Sequence, residues 1–378
     1  MTRPIHILQV VHSLAVGGTE RVVCGLTESF NDDEFRTSVC CLDELGEFGN
    51  QLKKKGFPVY ALNRRPGLDW SLISRLRELY IEKNVDIVHA HQYTPYFYAA
   101  AAALWAGCLP VIFTEHGRHW PDRLRIKRAV FNQLLRATTF AYTAVSDFTR
   151  KSLIQYEKIP PERIKVIYNG IDPHGNANGS RVENDVRSEL GVKDDELVVL
   201  SVGRLDRIKD FGTLIQAFAI VLERIPHSFL WIAGDGDSQY RSELIALIEK
   251  MGLCSKVKIL GTRNDVHSLL TASDLFALCS LTEATSMTIL EAMAAGRAVV
   301  ATKTGGNPEI VLDGVTGRLV DVGDAPSVAS TIVSLLEDAK LRDSMGCAAR
   351  LRAEKQFSIA RILGQYRDLY RGAVPDVV

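Results

Sequence analysis

Leu197-Val198-Val199-Leu200-Ser201-Val202-Gly203-Arg204-Leu205-Asp206-Arg207-Ile208-Lys209-Asp210 begins as a short aliphatic run and breaks at a glycine into a loop carrying cations. Six apolar residues bounded by glycine suit a strand buried in a parallel sheet better than a helix. In open parallel sheets ligands bind beyond the carboxyl ends of the strands. Arg204 and Lys209 leave that end, where two cations can neutralise a diphosphate without a metal.

The same rhythm extends in both directions. Earlier candidate strands are Ile5 to Val11, Ser38 to Leu42, Val59 to Leu62, Ile87 to Ala90, Val111 to Thr114, Ala141 to Val145 and Lys165 to Tyr168. Later ones are Phe229 to Ala233, Val257 to Leu260, Leu275 to Leu278, Ala298 to Ala301 and Arg318 to Val320. Amphipathic segments such as Ser71 to Lys83 and Lys127 to Leu135 lie between them, which is the pattern of βαβ units. The rhythm stops at 173–184, a stretch with Pro173, Gly175, Asn176, Asn178, Gly179 and Ser180, read as a linker. The expected fold is α/β: two doubly wound Rossmann-like domains, 1–172 and 185–356, facing a central cleft.

The chain has 378 residues, enough for two cores. Lys plus Arg and Asp plus Glu both number 45, so no global field favours nucleic acid and anion binding must be local. Seven scattered cysteines lack metal-ligand spacing and suggest a reducing compartment with mostly buried thiols. No leader and no spanning apolar run is visible, so a cytoplasmic protein is expected.

Glu283-Ala284-Thr285-Ser286-Met287-Thr288-Ile289-Leu290-Glu291-Ala292-Met293 places two carboxylates around the start of an apolar helix that Thr285 or Ser286 can cap and Gly296 can stop. A helix N-terminus attracts phosphate, while the carboxylates can accept hydrogen bonds from a sugar on one side and a ribose on the other. Gly17-Gly18-Thr19-Glu20 at the first strand-to-helix turn lets backbone amides approach a ligand. A third glycine in dinucleotide-fingerprint order is missing, which argues against a nicotinamide or flavin enzyme. Glu115-His116-Gly117 puts a histidine at a strand's carboxyl end, and His89 and His91 alternate on the preceding strand, one expected inside and one facing the cleft. Asp235-Gly236-Asp237 follows a strand and reads as a turn rather than a metal motif. The densest basic cluster, 118–128, interleaves Trp120, Leu124 and Ile126 with cations and suits equally an anionic membrane surface or a solvated basic face.

With these motifs in chain order, including Asn169-Gly170-Ile171-Asp172 and Gly305-Gly306-Asn307-Pro308-Glu309, the chain resembles retaining GT-B glycosyltransferases of the group 1 family, which includes bacterial capsule, exopolysaccharide and lipid-linked sugar transferases. The resemblance implies that Arg204 and Lys209, with Gly203, hold the donor diphosphate. It implies further that Glu283 orients the donor sugar, that Ala284, Thr285, Ser286 and Met287 line the donor, and that Glu291 binds the ribose. Gly17 and Gly18 would close over the phosphates, and His116 with His91, Gly117 and Arg118 would form the acceptor side. The implied catalytic set is His116, Glu283, Arg204 and Lys209, with no metal and no cofactor, the nucleotide-sugar being a substrate and UDP the favoured base. A final helix, 357–374, would cross back to the first domain, and domain closure about the linker would exclude water. Glycine commonly follows the first glutamate, and Ala284 departs from that pattern. Other classes compatible with the motifs are a nucleotide-sugar epimerase, which needs acid and base groups but no acceptor, and a silent sugar-nucleotide-binding homologue.

Overall fold

Strand formation follows the apolar runs closely. In the computed structural model, which describes residues 3–15, 17–117, 126–172 and 183–374, the first sheet holds seven parallel strands. They are β1 (Ile5–Val11), β2 (Phe35–Cys41), β3 (Val59–Ala61), β4 (Ile87–His91), β5 (Val111–Glu115), β6 (Thr139–Ala144) and β7 (Ile164–Val166). Their spatial order is β3-β2-β1-β4-β5-β6-β7. The second sheet holds β8 (Leu197–Val202), β9 (Ser228–Ala233), β10 (Val257–Gly261), β11 (Leu275–Leu278), β12 (Ala298–Thr302) and β13 (Gly317–Val320), ordered β10-β9-β8-β11-β12-β13. Each strand falls where the sequence placed one. The largest end shift is at β2, which starts at Phe35 rather than Ser38. Both sheets are doubly wound: the order reverses between β1 and β4 and again between β8 and β11, and these reversals are the switch points at which such folds open a crevice.

All seven residues of β1 are buried, as are all six of β9, because helices cover both faces. Separate apolar clusters sit under each face of the first sheet, and one large cluster built around Trp231's neighbours Leu230 and Ile232 with Phe211 and Phe218 holds the second. Each fully buried aliphatic side chain in these layers contributes roughly 1.5–3 kcal/mol.

The chain divides into a first unit, Met1–Gly170 with Ala360–Val378, and a second, Ile171–Ile359. At the crossings the two segments are bonded to each other, Ile171 N–H to the Phe357 carbonyl and Ile359 N–H to the Ile171 carbonyl, both at 2.8 Å. The final helix, Ile359–Ala373, buries Ile362, Tyr366, Leu369 and Tyr370 in a cluster with Ile5, Phe30, Phe35 and Ile112. Arg367 and Arg371 fasten it to Asp32 and Glu34 at 2.5–2.7 Å. The stretch 173–182, most of the expected linker, and 118–125, most of the basic cluster with Arg118, lie outside the described residues.

One expectation fails in detail. Cys40, Cys41 and Cys279 are buried and Cys24 is half-buried, but Cys108, Cys254 and Cys347 are exposed. The first two of these exposed thiols lie in turns and the last on an outer helix face, positions that strand periodicity does not reach.

Candidate functional site

In the second unit the switch point brings together the residues that leave β8 and β11. Asp206 accepts from Ile208 N–H at 3.0 Å and caps a single 3₁₀ turn, Arg207–Lys209. That turn aims Lys209 across to β11, where its Nζ meets Glu283 Oε1 at 2.5 Å. The same carboxylate oxygen accepts from Ser280 Oγ at 2.7 Å. The pair is largely shielded, with Lys209 and Glu283 side chains 20% and 10% exposed. Arg204, by contrast, extends into solvent at 69% exposure, 3.4 Å from Asp206. One cation is already committed to a carboxylate while the other is presented outward.

Two glycine turns hold this loop from behind. A Cβ at Gly234, φ +139°, would lie 1.9 Å from the Gly203 carbonyl oxygen, and one at Gly305, φ +56°, would lie 1.8 Å from that of Glu283. Gly306 N–H donates to the same Glu283 carbonyl at 2.9 Å. Backbone therefore packs on backbone at both motif starts, and only glycine fits.

Ser286, not Thr285, caps the helix Met287–Ala294, its Oγ accepting from Ile289 N–H, and both residues are buried. Glu291 lies in the second turn, half-buried. Ala284 is not among the described residues with positive φ, so alanine there imposes no backbone strain. Asp235 accepts from Gly236 N–H and Asp237 from Tyr240 N–H at 2.7 Å, so both carboxylates serve turn and cap.

In the first unit Gly17 is the extended N-cap of the helix Gly18–Ser29. A Cβ at Gly17 would lie 2.2 Å from Glu20 Oε2, so the glutamate folds back over the first turn of its helix. His12, after β1, lies 3.6 Å from Asp43.

The histidines on β4 and the one after β5 depart from the expected arrangement. His89 and His91 are two residues apart, which puts both on one face of the strand, and both are buried with ring centroids 4.2 Å apart. His91 therefore does not line open space. It stands behind His116, its Nδ1 2.9 Å from His116 Nε2 and its Nε2 2.7 Å from Gln9 Oε1. Gln9 reaches Tyr370 of the final helix, Tyr370 reaches His89 at 2.8 Å, and His89 reaches Thr114 at 2.7 Å. Burial lowers His89 to about 3 and His116 to about 4 from the usual 6.5, and carries His91 well below that value. His116 Nδ1 is buried and has no hydrogen-bond partner. Gly117 follows at φ +152°, turning the chain at once. Gln9 and Tyr370 were not foreseen. A lone amide in the apolar run Ile5 to Val11 is the signal for the first, and nothing local marks the second.

The family model for glycosyl transferases group 1 matches residues 182–352, and that for glycosyltransferase family 4 matches residues 16–174. The chain belongs to the GT-B glycosyltransferases. It is 29% identical over 325 residues to N-acetyl-alpha-D-glucosaminyl L-malate synthase of Bacillus anthracis, covering 84% of this chain and 82% of that one. It is 27% identical to the Escherichia coli UDP-Gal:alpha-D-GlcNAc-diphosphoundecaprenol alpha-1,3-galactosyltransferase, covering 94% of each. Among solved structures it is similar to Anabaena HepE in complex with UDP-glucose, with 26% identity, a TM-score of 0.83, and coverage of 97% of this chain and 100% of that one. This glycosyltransferase therefore shares its two-domain fold with a protein crystallised with a nucleotide-sugar.

Proposed function

We propose that this glycosyltransferase moves a sugar from a UDP-sugar to a lipid-linked or polysaccharide acceptor, with retention of anomeric configuration and without a metal ion. The observation that carries the reading is the Lys209–Glu283 pair at the β8/β11 switch point, with Arg204 presented beside it. As the glycosidic bond breaks, negative charge grows on the leaving diphosphate. Cations and helix amides that bind this charge more tightly in the transition state lower the barrier. Lys209 and Arg204 supply the charge, and Glu283 holds Lys209 in place and accepts from the donor sugar's hydroxyls. Glu291 accepts from the ribose, and the leaving phosphate oxygen takes the acceptor's proton on the same face, so no protein nucleophile is required. His116 and Gly117 belong to the acceptor side, with His91 behind them and Arg118 next in the chain.

A peripheral position on the cytoplasmic face of the membrane is part of this reading. Among the described residues no helix is long and apolar enough to cross a membrane. The helix Ile126–Leu135 continues the basic cluster and exposes Val130, Phe131 and Leu134. Arg128 is not available to lipid: its guanidinium lies 4.0 Å over the Tyr93 ring and pairs with Glu157 at 3.3 Å. Cations at 123–127 with this apolar strip would make the contact.

The test is transfer from a panel of UDP-, GDP- and ADP-sugars to a polyprenyl-diphosphate-linked sugar in excess EDTA, with the product anomer read by NMR. Transfer from a UDP-sugar with retained configuration is expected. An inverted product, or activity abolished by EDTA and restored by magnesium, would overturn the mechanism.

A further inference from the structure

We infer that the buried hydrogen bonds running from Tyr370 through Gln9 and His91 form a one-way relay that keeps the proton of His116 on Nε2 and leaves Nδ1 bare to accept from a substrate hydroxyl. Gln9 and Tyr370 are thereby positioning residues for His116. The identity of that hydroxyl, on a sugar, rests on the reading above; the relay does not.

The direction follows from the far end. Thr143 Oγ1 is placed to donate to the Phe113 carbonyl, at 3.2 Å, and the Tyr366 hydroxyl beside it bonds both Thr143 and Thr114 without altering this order when it donates. Thr143 Oγ1 is then the acceptor for the Thr114 hydroxyl at 2.5 Å, which leaves Thr114 to accept from His89 Nε2–H at 2.7 Å. A neutral His89 protonated on Nε2 offers a lone pair at Nδ1, and the Tyr370 hydroxyl donates to it at 2.8 Å. The Tyr370 oxygen in turn accepts from the Gln9 amide nitrogen at 3.4 Å. That orients the Gln9 carbonyl toward His91 Nε2–H, 2.7 Å away. His91 Nδ1 is then the acceptor for His116 Nε2–H at 2.9 Å. The last member, His116 Nδ1, is the buried atom without a partner.

Reversing every donor would turn Thr143 away from Phe113, require the Gln9 amide to be turned over, and put an N–H instead of a lone pair at the unpartnered His116 Nδ1. The relay also needs three neutral rings, and burial keeps all three neutral at physiological pH. A bare acceptor in a shielded place is satisfied by a donor hydroxyl, and a ring locked in one tautomer presents the lone pair without reorganisation.

The test is a long-range proton–nitrogen correlation spectrum of the full chain labelled with ¹⁵N-histidine, alongside Tyr370→Phe and Gln9→Met. In the wild type, His89, His91 and His116 are each expected as the neutral Nε2–H tautomer. In the two variants His116 is expected to become a mixture of tautomers, and kcat to fall about tenfold with donor KM changed less than about twofold. A merely structural role would lower melting temperature and leave the tautomer unchanged. A wild-type His116 protonated on Nδ1, or an unchanged His116 tautomer in both folded variants, would overturn the relay. The spectrum needs no substrate. Failure of the wild type to turn over any nucleotide-sugar would strike the reaction assigned above, and the relay would still be decided by the tautomers.

Discussion

The two switch points solve the same geometric problem with opposite electrostatics. At β8/β11 basic and acidic side chains stand together: Lys209 meets Glu283 at 2.5 Å and Arg204 stands in solvent. At β1/β4, and just past the adjoining strand β5, three histidines with lowered pKa values, His89 and His91 buried and His116 half-buried, are joined in series. A site that stabilises growing anionic charge needs fixed cations, whereas a site that steers a hydroxyl needs a fixed lone pair and no net charge. On the proposed reading, charge would mark the donor unit and tautomer control the other.

The largest effect separates the two regions. Glu283→Ala or Lys209→Ala should reduce kcat by about 10²–10³-fold or more, since each would remove part of the charge arrangement proposed to hold the diphosphate. Single removal also strands a shielded charge, so some loss of melting temperature is expected, and the double variant should regain part of it. Turnover and melting of all three variants check this, and near-normal kcat in both singles would break the comparison.

Acid should injure the histidine region first. The folded-state values of His89 and His91 are depressed below the usual 6.5, so the unfolded chain takes up protons that the native chain refuses. Their contribution to stability is complete above about pH 6.5 and is lost as pH falls toward the folded values, at about 1.4 kcal/mol per pH unit for each histidine. Urea melts from pH 7.5 to 5 should show that slope, and it should be smaller after His89→Gln.

Gly305→Ala should destabilise by about 2 kcal/mol or more, because its Cβ would meet the Glu283 carbonyl in a left-handed backbone. Denaturant unfolding measures it. Replacing Val130 and Leu134 with serine should weaken binding to anionic vesicles several-fold with unchanged turnover of a soluble acceptor. Equal vesicle binding in a flotation assay would remove the membrane contact. Ala284→Gly is expected to destabilise by about 0.4–1 kcal/mol, since the position has no positive φ to relieve and glycine loosens the unfolded chain.

Much of this was legible in the residues. Buried parallel strands announce themselves as apolar runs, which is why all thirteen candidates correspond to strands and why the motifs fall at strand ends. The capped helix after Glu283 was legible for the same local reason: Ser286 is a good cap and Gly296, φ +72°, a good stop. What local pattern hides is pairing across sequence distance. Lys209 and Glu283 are separated by 74 positions and Gln9 and Tyr370 by 361, and only the winding of the sheets and the return of the final helix bring them together. The histidine pair misled because two-residue spacing on a strand means one face, and the burial of both depended on a helix far along the chain. Glu20 belongs to a glycine motif in the sequence, and only the structure shows it folded back over the start of its helix.

The central claim is a cationic diphosphate site in the second unit that works without metal. Calorimetric titration of UDP into the wild type and Lys209→Ala, both in excess EDTA, tests it most directly. The account predicts binding to the wild type and at least about tenfold weaker binding to the variant, roughly 1.4 kcal/mol. Equal affinity for both proteins, or binding to the wild type only after magnesium is restored, would contradict it.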